Sequence, residues 1–211
     1  MADAQAAFLD AASTALHLLE RGELAERWRQ DSVLPRFPVG ALAGHLVRGM
    51  TTVEKYLDGP EPDEAGISAA RYFHTVIRSA DINDPAHQAI RGRGAEAAAG
   101  GPAALASDAR AALGRLSPRL AGVGAGRRLR VAGGLVMTLD EYLRTRVVEL
   151  VIHADDLAAS LGVELVPPRP ATCAIAIDVL TGVARIRHGD MAVLRALARR
   201  ERDPVQALRV L

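Results

Sequence analysis

Residues 146–162 read RVVELVIHADDLAASLG, a largely apolar, helix-forming run in which a carboxylate and an imidazole, Glu149 and His153, stand four residues apart. That spacing places both donor groups on one side of a helix, a turn apart. At about 100° per residue, Glu149, His153, Asp156 and Ser160 share one stripe, with Tyr142 and Arg146 beside it. Apolar residues flank the stripe on both sides, so it does not read as a solvated face. Groups of this kind need partners, because burying them unpaired is costly.

Two chemistries satisfy that need. In the first, Arg146 pairs with Glu149 at i,i+3 and His153 is a hydrogen-bonded neighbour. In the second, Glu149 and His153 both ligate a divalent metal. Two ligands do not close a site, so a third must come from another helix. His45, in GALAGHLVRG, is the best candidate, since Ala41, Gly44 and Gly49 around it permit a neighbouring helix or a ligand to come close. His17, among leucines, reads as structural but is an alternative third ligand. Two histidines and a glutamate with one open position form the ligand set of a catalytic zinc site. Asp156 either orients His153 from behind or is a surface carboxylate. Asp155, His74, His87 and His188 read as solvated.

The elements that must position these residues follow from apolar periodicity. Long helices are expected over 3–21, 39–57, 102–120 and 139–161, with 22–38 as a connection. Shorter helices are expected over 67–80 and 85–99, the latter opened by Asp84 and Pro85. Thr138 begins T-L-D-E, a capping box with Glu141 at the third helical position. AGVGAGRRLRVAGG reads as a loop or short hairpin. Apolar helices over 170–187 and 190–200 and the basic run RALARRERDP complete the chain. The expected architecture is all-α: a four-helix bundle over 1–164 with a helical C-terminal extension over 165–211 packed on it.

Composition agrees. Hydrophobic residues make up 49% and aromatics 3%, so the core must be aliphatic, which suits closely packed helices. The net charge is +1 and no basic block stands out, which argues against nucleic acid as a partner. Lys55 is the only lysine among 26 basic residues, a pattern of coding bias more than of function. Cys173 is the one cysteine; it reads as a small buried hydrophobe in a reducing compartment. No leader or membrane span is evident, so a cytoplasmic protein, compatible with a homodimer, is expected.

The pair of stretches PRFPVGALAGHLVRGM and LDEYLRTRVVELVIHADDLAASLG resembles the mycothiol-dependent maleylpyruvate isomerase family, part of the DinB-like metalloenzyme superfamily. The resemblance covers roughly residues 1–162, with both motifs in the expected order. It implies a four-helix bundle in which His45, Glu149 and His153 hold a divalent metal, usually zinc, with nickel or iron as alternatives. Asp156 and Arg146 would then stand behind the ligands. It also implies mycothiol, a sugar-linked cysteine thiol, as cosubstrate, and thiol transfer to, or isomerisation of, a small electrophile. The rival functions are hydrolysis by a metal-bound water and a non-enzymatic metal- or ligand-binding bundle. Two features depart from the family. The segment after Gly162 does not read as the family's second domain. Pro38 stands where a Ser or Thr usually caps the histidine-bearing helix.

Overall fold

Small and aliphatic residues at spacings of three and four build nine α-helices among the residues that the computed structural model describes, which are 3–77, 81, 83–199, 201, 208 and 210. They are α1 Ala4–Leu19, α2 Gly22–Arg27, α3 Val39–Leu57, α4 Ala69–Val76, α5 Pro85–Ala97, α6 Pro102–Ala121, α7 Leu139–Leu161, α8 Pro170–His188 and α9 Asp190–Ala198. Helices α1, α3, α6 and α7 form the bundle: α1 packs on α6 and α7, and α3 packs on the same two. Phe8, Leu42, Leu46, Met50, Leu116, Leu143, Leu150 and Leu157 are sealed in its core. These four are the long helices expected from periodicity. The only sheet among the described residues is a hairpin of two three-residue antiparallel strands, β1 Arg128–Arg130 and β2 Val136–Thr138.

The helix ends show how local chemistry sets the frame. Asp84 accepts from the Ala86 N–H at 2.8 Å, with Pro85 at the first helical position. Thr138 caps α7 by accepting from the Glu141 N–H at 3.3 Å. The capping box is not reciprocated: Glu141 Oε2 accepts instead from the Ala69 N–H, tying α7 to the start of α4. Gly162, at φ 67°, closes α7 in the left-handed conformation that a glycine adopts without strain. Pro38 offers α3 no side-chain cap. The first two amides of α3 are satisfied by carbonyls from the preceding segment, Val39 N–H to Gln30 O at 2.9 Å and Gly40 N–H to Trp28 O at 3.0 Å.

Three expectations need correction. The connection 22–38 contains α2, nucleated by the fully buried Leu24. The helix expected over 67–80 ends at Val76, and 78–80 lie outside the described residues. In the C-terminal segment, α8 packs on α7, α4 and α1 through Ile175, Val179 and Val183, all buried. The next helix, α9, packs against α8 and buries Val193, but Met191, Leu194 and Leu197 stay more than half exposed. The burial expected of MAVLRALA is therefore met on one side only. Arg200 and residues 202–204 of the basic run lie outside the described residues. No described helix is long and apolar enough to cross a membrane.

Candidate metal centre

Helix α3 carries His45 and α7 carries Glu149 and His153 one turn apart. Two glycines on α3 let neighbouring helices, α5 and α7, come close to it. At Gly44 the α3 backbone lies directly against the α5 backbone at Gly94: a Cβ on either residue would overlap a carbonyl oxygen of the other helix. At Gly49 the neighbour is Leu150 of α7, 3.3 Å from where a Cβ would stand. Phe37, just before α3, sets its ring 5.9 Å from the His45 ring.

The result is a cluster in which one ligand atom from each of His45, Glu149 and His153 lies within 4.8 Å of the others. Glu149 Oε2 is 3.0 Å from His45 Nε2 and 3.5 Å from His153 Nε2. The two imidazoles meet edge to face, with ring centres 4.9 Å apart. A tetrahedral cation with ligands at about 2.1 Å sets its donors roughly 3.4 Å apart. The two measured separations, 3.0 and 3.5 Å, bracket that value. All three side chains keep about a fifth of their surface exposed, so a small molecule can reach them.

The surroundings favour a cation. His153 Nδ1 lies 2.9 Å from Asp156 Oδ2, which fixes the ring and leaves Nε2 facing Glu149. Burial raises the pKa of Glu149, but hydrogen bonds from His153 and His45 outweigh it and hold the carboxyl well below its usual range. Burial lowers that of His153, but Asp156 and Glu149 outweigh it and push it up to about 9. Without a metal, the pocket thus retains a proton between two carboxylates, which is the charge a cation would replace.

The remaining residues divide. Asp156 stands behind His153 as the sequence suggests, and Asp155 is exposed. The Arg146–Glu149 pair does not form. Arg146 lies over the Tyr142 ring, 5.0 Å from its centre, and its Nε–H donates to Thr145 Oγ1 at 3.1 Å. Burial presses Arg146 toward neutrality, but Tyr142 and Glu149 outweigh it and raise its pKa. Ser160 is buried at the far end of the stripe, donating to Asp156 O and accepting from the Val33 N–H. His17 and His188 are exposed and apart from the cluster. His74, expected to be solvated, has its Nδ1 buried without a partner, because α4 is covered by α8. Cys173 is free and only half-buried. Sequence reasoning missed Thr52, Tyr56, Tyr72 and Thr145. Thr52 accepts from the Tyr142 hydroxyl at 2.9 Å, and Tyr56 stacks edge-on against Tyr142 at 5.4 Å. Only the rarity of tyrosine, three in the chain, hinted at them.

A family model described as the mycothiol maleylpyruvate isomerase N-terminal domain matches residues 8–158. No curated protein and no solved structure matches the chain. The matched span takes in α3 and the part of α7 that carries Glu149 and His153, and with them all three residues of the cluster. The chain belongs to the mycothiol maleylpyruvate isomerase N-terminal domain family.

Proposed function

We propose that this protein is a metal- and thiol-dependent enzyme of small-molecule metabolism. In this reading His45, Glu149 and His153 hold a divalent cation, zinc first and nickel or iron next, and mycothiol supplies the reacting thiol. The observation that carries it is the meeting, from two helices, of two imidazole nitrogens and a carboxylate oxygen within 4.8 Å of one another, the carboxylate 3.0 and 3.5 Å from the two nitrogens. When bound, such a cation makes a thiolate available at neutral pH.

The chain's own residues have definable parts. Glu149 contributes the negative charge that offsets the cation. Asp156 holds the Nδ1 side of His153 so that Nε2 remains a donor. The Gly44–Gly94 crossing fixes His45 against α5. The three-residue set leaves one coordination position, beside which an electrophilic carbon of a second substrate can be brought. Addition would form a carbon–sulfur bond as a π bond of the electrophile opens, with the thiol's proton ending on the atom that takes up the π electrons. Where that bond later breaks again, the outcome is isomerisation by addition and elimination; where it stays, the outcome is conjugation.

The test is elemental analysis of the wild type and of His45→Ala, both purified without histidine tags or chelators, followed by a mycothiol titration of the metal-loaded chain. Near-equimolar metal in the wild type, its loss in the variant, and saturable mycothiol binding that needs the metal are expected. A wild type that carries no metal and takes up no added zinc, nickel or iron would end the reading. Metal-dependent turnover with no thiol requirement would replace transfer with hydrolysis by a bound water.

A further inference from the structure

Arg146 is left without the partner its position demands. A guanidinium offers five N–H donors, of which one, Nε–H, is used, on Thr145 Oγ1. Arg146 forms no ion pair among the described residues. The nearest carboxylate along its own helix, Glu149, is engaged by His45 and His153. The contrast with the surface is sharp: Arg110, Arg115 and Arg185, all well exposed and least in need of a counter-charge, each have a carboxylate. A partly buried cation whose nearest carboxylate is shared with two histidines, and which forms no ion pair with it, is stabilised further when a ligand supplies an anion.

The setting is built to keep the guanidinium in place. Its Cζ lies over the Tyr142 ring. Thr145 Oγ1, which accepts from it, is itself fixed by donating to Tyr142 O at 2.6 Å. The Tyr142 hydroxyl is tied to Thr52. All three tyrosines of the chain, Tyr56, Tyr72 and Tyr142, lie within electrostatic reach of Arg146, as does Glu149. The hydroxyls of Tyr56 and Tyr72 make no hydrogen bond among the described residues, so two neutral donors lie within electrostatic reach of one cation. His74 Nδ1 is the one buried side-chain nitrogen or oxygen without a partner among the described residues, so the unpaired Arg146 nitrogens are not fully sealed from solvent.

We propose that Arg146 is the anion-recognising residue of this site and takes a carboxylate of the small-molecule substrate. The proposal rests on the reading of His45, Glu149 and His153 as a metal and thiol centre. Arg146 precedes Glu149 by three residues, about 4.5 Å along the helix axis. A carboxylate paired there and an atom bound at the cluster can therefore belong to one small molecule. The planar guanidinium matches a planar carboxylate in a two-pronged hydrogen bond. In this arrangement Arg146 orients the substrate and selects for its charge.

The test uses the full chain loaded with cobalt, whose thiolate absorption band reports thiol binding. The probes are 3-mercaptopropionate and its neutral isostere 3-mercaptopropionamide. In the wild type the carboxylate probe is expected to bind at least about tenfold more tightly than the amide. In Arg146→Gln that preference should fall to within about twofold, with the affinity for the amide unchanged. Arg146→Lys, which keeps charge and bulk, should recover part of it. Equal affinities in the wild type, or a preference that survives in Arg146→Gln, overturn the proposal. If neither probe gives the band, the metal and thiol reading has failed on its own account. The carboxylate site is then decided by calorimetry on the metal-free chain with succinate against succinamide. Preference for succinate that is lost in Arg146→Gln supports it, and no preference overturns it.

Discussion

Replacing Gly44 with alanine tests how His45 is held in place. A Cβ there would overlap the Gly94 carbonyl oxygen, stand 3.0 Å from the carbonyl carbon and 3.2 Å from the Ala98 Cβ. Two of these three atoms are backbone, so no side-chain rotation relieves the clash, and α5 must move off α3 by roughly 1 Å. Two effects oppose each other. Alanine is the better helix former by about 1 kcal/mol. Overpacking a tight contact costs about 1–3 kcal/mol, and the backbone nature of this one puts it at or above the upper end. The net expectation is a loss of about 2 kcal/mol in Gly44→Ala. Gly114→Ala is the control. It lies mid-helix in α6, exposed, with nothing within 4 Å of an added Cβ. There only the helix-propensity gain remains, about 0.5–1 kcal/mol of stabilisation. Urea unfolding followed by circular dichroism reads both from the shift in midpoint. Gly44→Ala should also weaken metal uptake, since His45 is the next residue. Two shifts of the same sign, or Gly44→Ala within about 0.5 kcal/mol of the wild type, would refute the backbone-contact argument.

Other outcomes are equally specific. Asp156→Asn should weaken metal affinity by about 10–100-fold with the helical content intact, measured by competition with a chromogenic chelator; an unchanged affinity would remove Asp156 from the site. The metal-free chain should lose stability as pH rises: the folded-state pKa of His153, about 9, exceeds its unfolded value of 6.5, so the stabilisation by its protonated form is complete below 6.5 and lost through 9. A Tm that stays level from pH 6.5 to 9.5 would contradict this. Zinc must displace the same proton, so its apparent affinity should tighten over that range, with proton release measured in unbuffered solution. We propose that 165–211 is an integral extension of the bundle; truncation after Gly162 strips the cover that Ile175, Val179 and Val183 provide to α1, α4 and α7 and should lower both solubility and Tm. A truncated chain as soluble and stable as the whole would make the segment a separate appendage.

The bundle was legible because its helices are long and their apolar periodicity is local: α3, α6 and α7 run over nearly the residues that spacing marks. Gly44 and Gly49 likewise announce close neighbours, although only the structure says that Gly94 is one and Leu150 the other. What escaped depends on chain far away in sequence. Glu141 has a partner in its own helix on paper, but Ala69 offers a free amide closer at hand. Arg146 stands at pairing distance from Glu149 in sequence, yet two histidines, one of them 104 residues upstream, have claimed that carboxylate. Arg146 and Tyr142 stand four apart on α7, so helical spacing makes them neighbours, whereas the burial of His74 arises from packing between helices, which no spacing rule encodes.

The start of α3 carries an evolutionary consequence. A helix capped by a side chain can lose its cap through a single substitution, so the capping position is constrained. Here the donors of Val39 and Gly40 are met by main-chain carbonyls of Gln30 and Trp28, which no point mutation at 38 deletes. Position 38 is therefore free to drift, and a proline in place of the family's serine or threonine is harmless. The constraint has moved two residues along. At Gly40 an added Cβ would stand 2.8 Å from the Trp28 ring and 3.1 Å from the Trp28 carbonyl oxygen that closes the helix. In relatives that share this proline, the pairing of glycine at 40 with a tryptophan-bearing turn before α3 should be inherited together, as one unit of selection.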